Sequence, residues 1–114
     1  MIRLSRIYDR EDTGNARKIL VDRLWPRGVP KAAVDTWMKE IAPSEALRKW
    51  FDHDPQRWDE FRRRYFEELA ASDEPKKLLE WLRSGNEVVL LYAARDRERN
   101  NAVALSEYLI SIPP

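Results

Sequence analysis

Two apolar stretches decide the fold: Ile19-Leu20-Val21-Asp22-Arg23-Leu24-Trp25-Pro26-Arg27-Gly28 and Val88-Val89-Leu90-Leu91-Tyr92-Ala93-Ala94-Arg95-Asp96. Each starts with consecutive aliphatic residues and ends in charged ones. Consecutive aliphatic residues are typical of a strand that is covered on both faces, as in a parallel sheet. We therefore predict two buried strands that deliver aspartate, arginine and an aromatic ring to one edge of a sheet.

The composition limits the class of protein. A chain of 114 residues fits a single α/β domain, residues 1–114, with its own core. It has no cysteine, which excludes disulfides and thiolate metal sites. The N-terminal residues lack a signal-peptide pattern, and no apolar run approaches the roughly 18 residues of a membrane span. We expect a cytoplasmic protein that does not associate with a membrane.

A further strand precedes these two. Residues 2–8 alternate between apolar and polar side chains, which predicts a strand with one wet face near a sheet edge. Residues 9–16 are rich in turn-forming residues, and this connection is shorter than the dozen or so residues of a helical crossover. The short connection favours a hairpin between the first two strands, with a tight parallel crossover as the alternative.

The middle of the chain predicts helices. Asp35 can cap a short helix that carries Trp37, and the next helix starts at Pro43 and Ser44. Asp54, followed by a proline, can cap a longer helix, and Gly85 can end a fourth in the left-handed conformation. A last helix follows the second apolar stretch. This order predicts the α/β class, with a mostly parallel sheet of about three strands flanked by about five helices.

The predicted topology gathers the charged strand ends. A long right-handed crossover between the two buried strands makes them parallel, and ligands in parallel α/β sheets bind beyond the carboxyl ends of the strands. Two carboxylates can serve there as general acid and base, namely Asp22 and Asp96. Arginine, aromatic and amide side chains can bind the ligand, namely Arg23, Trp25, Arg27, Tyr92, Arg95 and Asn100. Alternatively, the pocket only binds, or the charges only pair, with Asp96 capping the last helix.

His53 is the only histidine of the chain and lies between two aspartates. A metal site or a proton relay is one interpretation. The simpler one is that His53 ends one helix while Asp54 caps the next, because no nucleophile or further metal ligand accompanies it. With three glycines the chain cannot form a glycine-rich nucleotide loop. We predict no bound cofactor and no metal.

Several runs of the sequence resemble a known family. They are residues 21–28 (VDRLWPRG), Trp37 with residues 42–44, residues 47–51 (LRKWF), residues 53–55 with Trp58 and Phe61, and residues 91–96 (LYAARD) with Asn100. The chain is similar over nearly its whole length to the YeaO-like branch of the bacterial domain of unknown function 488 family. The resemblance implies a compact cytoplasmic α/β domain. It marks the same strand ends, together with His53 and Asp54, which makes His53 a candidate ligand-binding residue.

Three functions follow from these observations. The first is an enzyme that acts on an anionic or nucleotide-like small molecule. The second is a non-catalytic module that binds a nucleotide, a nucleic acid or a partner protein, which the arginine and tryptophan content suggests. In the third, the charges only stabilise the fold. A nucleic-acid partner is not favoured, because a net charge of +1 provides no long-range attraction for a polyanion.

Overall fold

The computed structural model describes residues 2–112. Its four strands are β1 (Ile2–Arg6), β2 (Arg17–Leu20), β3 (Thr36–Trp37) and β4 (Val88–Tyr92). Its four α-helices are α1 (Glu45–Phe51), α2 (Trp58–Ala70), α3 (Glu74–Arg83) and α4 (Asn101–Ser111). Short 3₁₀ turns occupy Ile7–Asp9, Lys31–Ala33, Lys39–Ile41 and Pro55–Arg57.

The sheet is parallel throughout, in the order β1-β4-β2-β3. All five residues of β4 are buried, which agrees with the central position predicted for the most apolar strand. Leu20 of β2 lies opposite Leu91 of β4. The carboxyl ends of the two buried strands therefore meet at the same edge, and the predicted parallel arrangement is confirmed.

The preference for a hairpin between the first two strands is wrong. β1 and β2 both pair with β4, which lies between them, and they do not pair with each other. The connection crosses over one face of the sheet, where Ile7 and Ala16 pack with Leu20 and Leu91. The central place goes to β4 because that strand buries apolar side chains on both of its faces.

The short helix predicted after Asp35 is also absent. Thr36 and Trp37 instead form the edge strand β3, which pairs with β2. The carboxylate of Asp35 accepts a hydrogen bond from the backbone N–H of Lys18 at 2.8 Å, and its own N–H donates to the Lys18 carbonyl. These two hydrogen bonds hold Asp35 beside Lys18 of β2, so Asp35 does not cap a helix. The chain after it continues as the strand β3.

The helices cover one face of the sheet and loops cover the other. Ile19, Leu90 and Tyr92 point into the larger core with buried residues of all four helices. Leu20 and Leu91 point the other way, into a smaller cluster closed by loop residues. The sheet therefore lies between two separate hydrophobic clusters, and the larger one is on the side of the helices.

Candidate functional site

A cavity of about 700 Å³ opens beyond the carboxyl ends of β2 and β4. The chain leaves β2 toward β3, whereas it leaves β4 toward α4, which packs against β4 and β1. Adjacent parallel strands whose connections diverge open a crevice in which α/β proteins bind ligands. The cavity occupies this crevice, and its volume lies in the range of small-molecule sites, about 300–1,000 Å³.

The cavity brings together most of the residues that the sequence predicted. The following line it: Asp22, Arg23, Trp25, Arg27, His53, Arg95, Asp96 and Asn100. Tyr92 is the exception, because it is the last residue of β4 and its ring packs in the larger core, with 4 % of the residue exposed. Tyr92 therefore belongs to the core beneath the site and does not line the cavity.

Asp22 joins three parts of the site. Its Oδ2 accepts a hydrogen bond from the backbone N–H of Ala93 at 3.0 Å, and its Oδ1 accepts one from Nδ2 of Asn101 at 3.0 Å. The same Asn101 amide donates to the carbonyl of Val21. Burial of the carboxylate raises the pKa of Asp22, and these two hydrogen bonds oppose the rise only in part.

Asp96 has a different environment. Its Oδ1 accepts hydrogen bonds from the backbone N–H groups of Glu98 and Arg99, at 2.9 and 3.0 Å. These bonds hold the pKa of Asp96 below its ordinary value, so the group stays ionised. Asn100, and not Asp96, caps α4, because its Oδ1 accepts from the N–H of Val103. Asp96 shapes the loop before the cap.

Arg23 and Trp25 are fixed by hydrogen bonds to the main chain. Nε of Arg23 donates to the carbonyl of Pro43 at 3.0 Å and Nη2 donates to that of Ala42 at 3.3 Å, which ties the loop after β2 to the start of α1. Nε1 of Trp25 donates to the carbonyl of Val29 at 2.8 Å. Both residues therefore build the wall of the cavity and have less freedom to follow a ligand.

Three other guanidinium groups at the cavity have no such partner. Arg27, Arg48 and Arg95 are exposed, and none of their side chains makes a hydrogen bond or a salt bridge with a residue among 2–112. They come from three segments: the loop after β2, helix α1 and the loop after β4. Arginine binds phosphate and carboxylate groups through two parallel hydrogen bonds, so these cations are available for an anion.

Aromatic residues from α1, α2 and the turn between them also line the cavity. Phe51 at the end of α1 stacks on Phe61 of α2 with ring centroids 4.4 Å apart, and the ring of His53 lies 6.3 Å from that of Phe51. All three residues line the cavity. The site thus combines unpaired cations with apolar surface.

Residues 2–112 contain neither a cluster of metal-ligating side chains nor a membrane-spanning helix. No group of three histidine, aspartate or glutamate side chains there is arranged to hold a metal ion. No helix in that part of the chain is long and apolar enough to cross a bilayer.

Comparison with known proteins identifies the family. The family model described as the inactive DUF488-N3 subclade matches residues 1–112. The chain belongs to the DUF488 family. It is 39 % identical over 113 residues to the Escherichia coli (strain K12) protein titled uncharacterized protein YeaO. The aligned region covers 97 % of this chain and 98 % of that protein. The resemblance found in the sequence is thereby confirmed.

Mycobacterial members of the family are equally similar. The Mycobacterium bovis protein titled uncharacterized protein Mb3100c is 40 % identical over 114 residues, covering 95 % of this chain and 92 % of that protein. The Mycobacterium tuberculosis (strain H37Rv) protein titled uncharacterized protein Rv3073c matches with the same identity and coverage. No solved structure matches the chain.

Sequence reasoning missed three residues of the site whose side chains carry polar groups, namely Tyr8, Arg48 and Asn101. Arg48 lies within the LRKWF run that resembles the family, but nothing in that run places it near Arg27 or Arg95. Asn101 follows the predicted Asn100 directly, yet its hydrogen bond to Asp22 joins residues 79 positions apart. Only the packing of α1 and α4 around the sheet reveals these roles.

Proposed function

We propose that this protein binds a small anionic molecule with an apolar or ring-bearing part in the cavity beyond β2 and β4, without transforming it. One observation carries the proposal: Arg27, Arg48 and Arg95 line one cavity, and their side chains make no hydrogen bond or salt bridge with residues 2–112. Elsewhere on the surface, arginines such as Arg63 and Arg64 are paired with glutamates on the same helix.

The charge balance of the cavity supports an anion. Four arginines and two aspartates line it, so its lining carries two more positive than negative charges when both carboxylates are ionised. The whole chain carries a net charge of only +1. Positive charge is therefore concentrated in this concave site, where surrounding apolar walls strengthen its field.

The apolar lining of the cavity supports the second part of the ligand. Phe51 and Phe61 back the cavity but are almost fully buried, with 6 % and 2 % of each residue exposed, whereas Leu24 and Trp25 offer it more apolar surface. Ligand sites of this size are mostly apolar with a few polar groups that fix the orientation of the ligand. A molecule with an anionic group and a flat or apolar body matches both features.

Binding without turnover is favoured by the two aspartates. Asp96 is occupied by two backbone N–H groups that keep it ionised, which suits a structural role better than proton transfer. Both oxygens of Asp22 accept hydrogen bonds that hold the loop after β4 and the start of α4. The description of the matching subclade as inactive agrees with a binding role.

An enzyme remains a second candidate because of Asp22 alone. Its carboxylate lines the cavity and its pKa is raised by burial, which suits a general acid or base. If the protein turns over a metabolite, we expect Asp22→Asn to abolish turnover while binding of the anion persists. Turnover that survives this substitution contradicts the enzymatic role of Asp22.

Sulfate binding tests the main proposal. We expect isothermal titration with sodium sulfate at low ionic strength to show binding, and Arg48→Gln and Arg95→Gln each to weaken it by about tenfold or more, since charge-assisted hydrogen bonds contribute about 1.5–3 kcal/mol. Lys49→Gln is the matched control, because Lys49 is an exposed cation next along α1 that pairs with Glu45 and does not line the cavity. Equal losses in all three variants, or no binding by the natural protein, contradict the proposal.

A further inference from the structure

The backbone places His53 at the cavity in an unusual way. Asp52 and His53 both have positive φ, +46° and +54°, and the N–H of Asp54 donates to the carbonyl of Phe51 at 2.9 Å. Two central residues with positive φ, closed by that hydrogen bond, define a type I′ turn. Asparagine followed by glycine is the pair that such a turn prefers, because a Cβ atom is disfavoured at positive φ.

His53 therefore occupies a position where the local backbone favours glycine. The residue is exposed, and its side chain donates no hydrogen bond to another residue among 2–112. Its ring lies against Phe51, which directs the imidazole along the cavity wall. Left-handed residues other than glycine concentrate at functional sites, where the surrounding structure holds them in place.

We infer that the imidazole of His53 contacts the bound anion, and that the protein binds this anion more tightly when the imidazole is protonated. The inference rests on the proposed function, because it concerns the same cavity. A protonated imidazole adds one more cation to those that line the cavity, and a neutral imidazole does not. The turn presents the imidazole to the same cavity that Arg27 and Arg95 line.

Other charged groups act on the imidazole. Asp22 lies close enough across the cavity to interact with it electrostatically. Asp52 and Asp54 flank it in the turn. The charged residues that share the cavity with it from α1 and from the loops after β2 and β4 are Arg48, Arg23, Arg27, Arg95 and Asp96. Asp22 is the alternative source of a pH effect, because its protonation would also favour an anion.

The test measures sulfate affinity at about pH 5.5 and about pH 8. Sulfate stays a dianion over this range, so any change in affinity belongs to the protein. We expect the natural protein to bind about tenfold more tightly at the lower pH, as one added charge-assisted hydrogen bond implies. His53→Gln should bind with the same affinity at both values. Persistence of the pH effect in His53→Gln assigns it to another group, such as Asp22, and overturns the inference.

A second variant separates ligand contact from folding. Glycine fits the left-handed backbone, so His53→Gly should keep or raise the melting temperature while it removes the pH effect. Asp52→Gly is the matched control, since Asp52 shares the turn but does not line the cavity, and the pH effect should persist there. A lower melting temperature in His53→Gly would show a structural role and overturn the inference. Sulfate binding by the natural protein that is equal at both pH values overturns this inference and leaves the proposed function intact.

Discussion

At the scale of single residues, Asn101 determines how Asp22 is held. Its amide donates both to the Val21 carbonyl and to the Asp22 carboxylate, so it joins the first residue of α4 to the end of β2. Because asparagine is uncharged, a search of the sequence for charged site residues does not find a positioning residue of this kind. Its removal affects both stability and the acidity of its neighbour.

Asn101→Ala is expected to lower the free energy of unfolding by about 1–3 kcal/mol, because two acceptors lose their donor. The pKa of Asp22 should rise further, since the Asn101 hydrogen bond is one of the interactions that lower it. Urea denaturation measures the first effect and an NMR titration of the Asp22 carboxyl carbon the second. Ser106→Ala on the same helix is the control. An unchanged pKa of Asp22 would contradict the assigned role.

The raised pKa of Asp22 also predicts the direction in which stability changes with pH. A carboxyl group whose pKa is higher in the folded protein contributes stability below its ordinary value, near 4, and loses that contribution as the pH rises through the raised value. Asp22→Asn removes this titration. The free energy of unfolding of the natural protein, relative to that of the variant, should therefore be highest at low pH. It should fall as the pH rises. A difference that stays constant between about pH 3.5 and 7 would contradict the shift.

At the scale of elements, α1 is short and depends on its first turn. Ser44 Oγ accepts a hydrogen bond from the N–H of Leu47 and donates one to Oε2 of Glu68 at 2.6 Å. The N–H of Ser44 donates to Oε1 of the same Glu68 at 2.8 Å. The cap thus fixes α1 against α2, and α1 carries Arg48 and leads to the turn of His53.

Ser44→Ala is expected to lower the free energy of unfolding by about 1–2 kcal/mol through the lost cap and the lost bond to Glu68. Sulfate should also bind more weakly, because Arg48 is no longer held in place. Ser84→Ala, at the exposed end of α3, is the control for stability. Urea unfolding and titration calorimetry measure the two effects. Loss of stability with unchanged sulfate affinity would separate α1 from the site.

At the scale of the whole molecule, the two faces of the sheet differ in how they are covered. Leu90 points into the core formed by all four helices, whereas Leu91 points into the smaller cluster closed by loops. Both residues belong to the central strand β4. They therefore compare the two faces within a single element.

Leu90→Ala is expected to lower the free energy of unfolding by about 3–5 kcal/mol, because packed helices relax little around a cavity. Leu91→Ala should cost less, about 2–3 kcal/mol, since loops can partly close the space. Chemical denaturation measures both. An equal or larger loss for Leu91→Ala would mean that the loop-covered face is as tightly packed as the helical one.

The two buried strands, their parallel direction and the charged residues at their ends could all be predicted from the sequence. These features are local: runs such as Val88–Tyr92 need no partner to be recognised as a buried strand, and the long segment between the strands requires a crossover. The helix start at Ser44 and the helix end at Gly85 are local as well, because each depends on the residues of a single turn.

Which charged side chains form hydrogen bonds or salt bridges, and which form none, depends on how distant segments pack together. Asp22 is bound by residues 71 and 79 positions away, and Tyr92 enters the core because β4 lies between β1 and β2. Within residues 2–112, the same packing leaves the side chains of Arg27, Arg48 and Arg95 without a hydrogen bond or salt bridge and turns Asp35 toward β2. Hydrogen bonds between distant segments depend on how the elements pack, and a periodic pattern in the sequence carries no record of that packing.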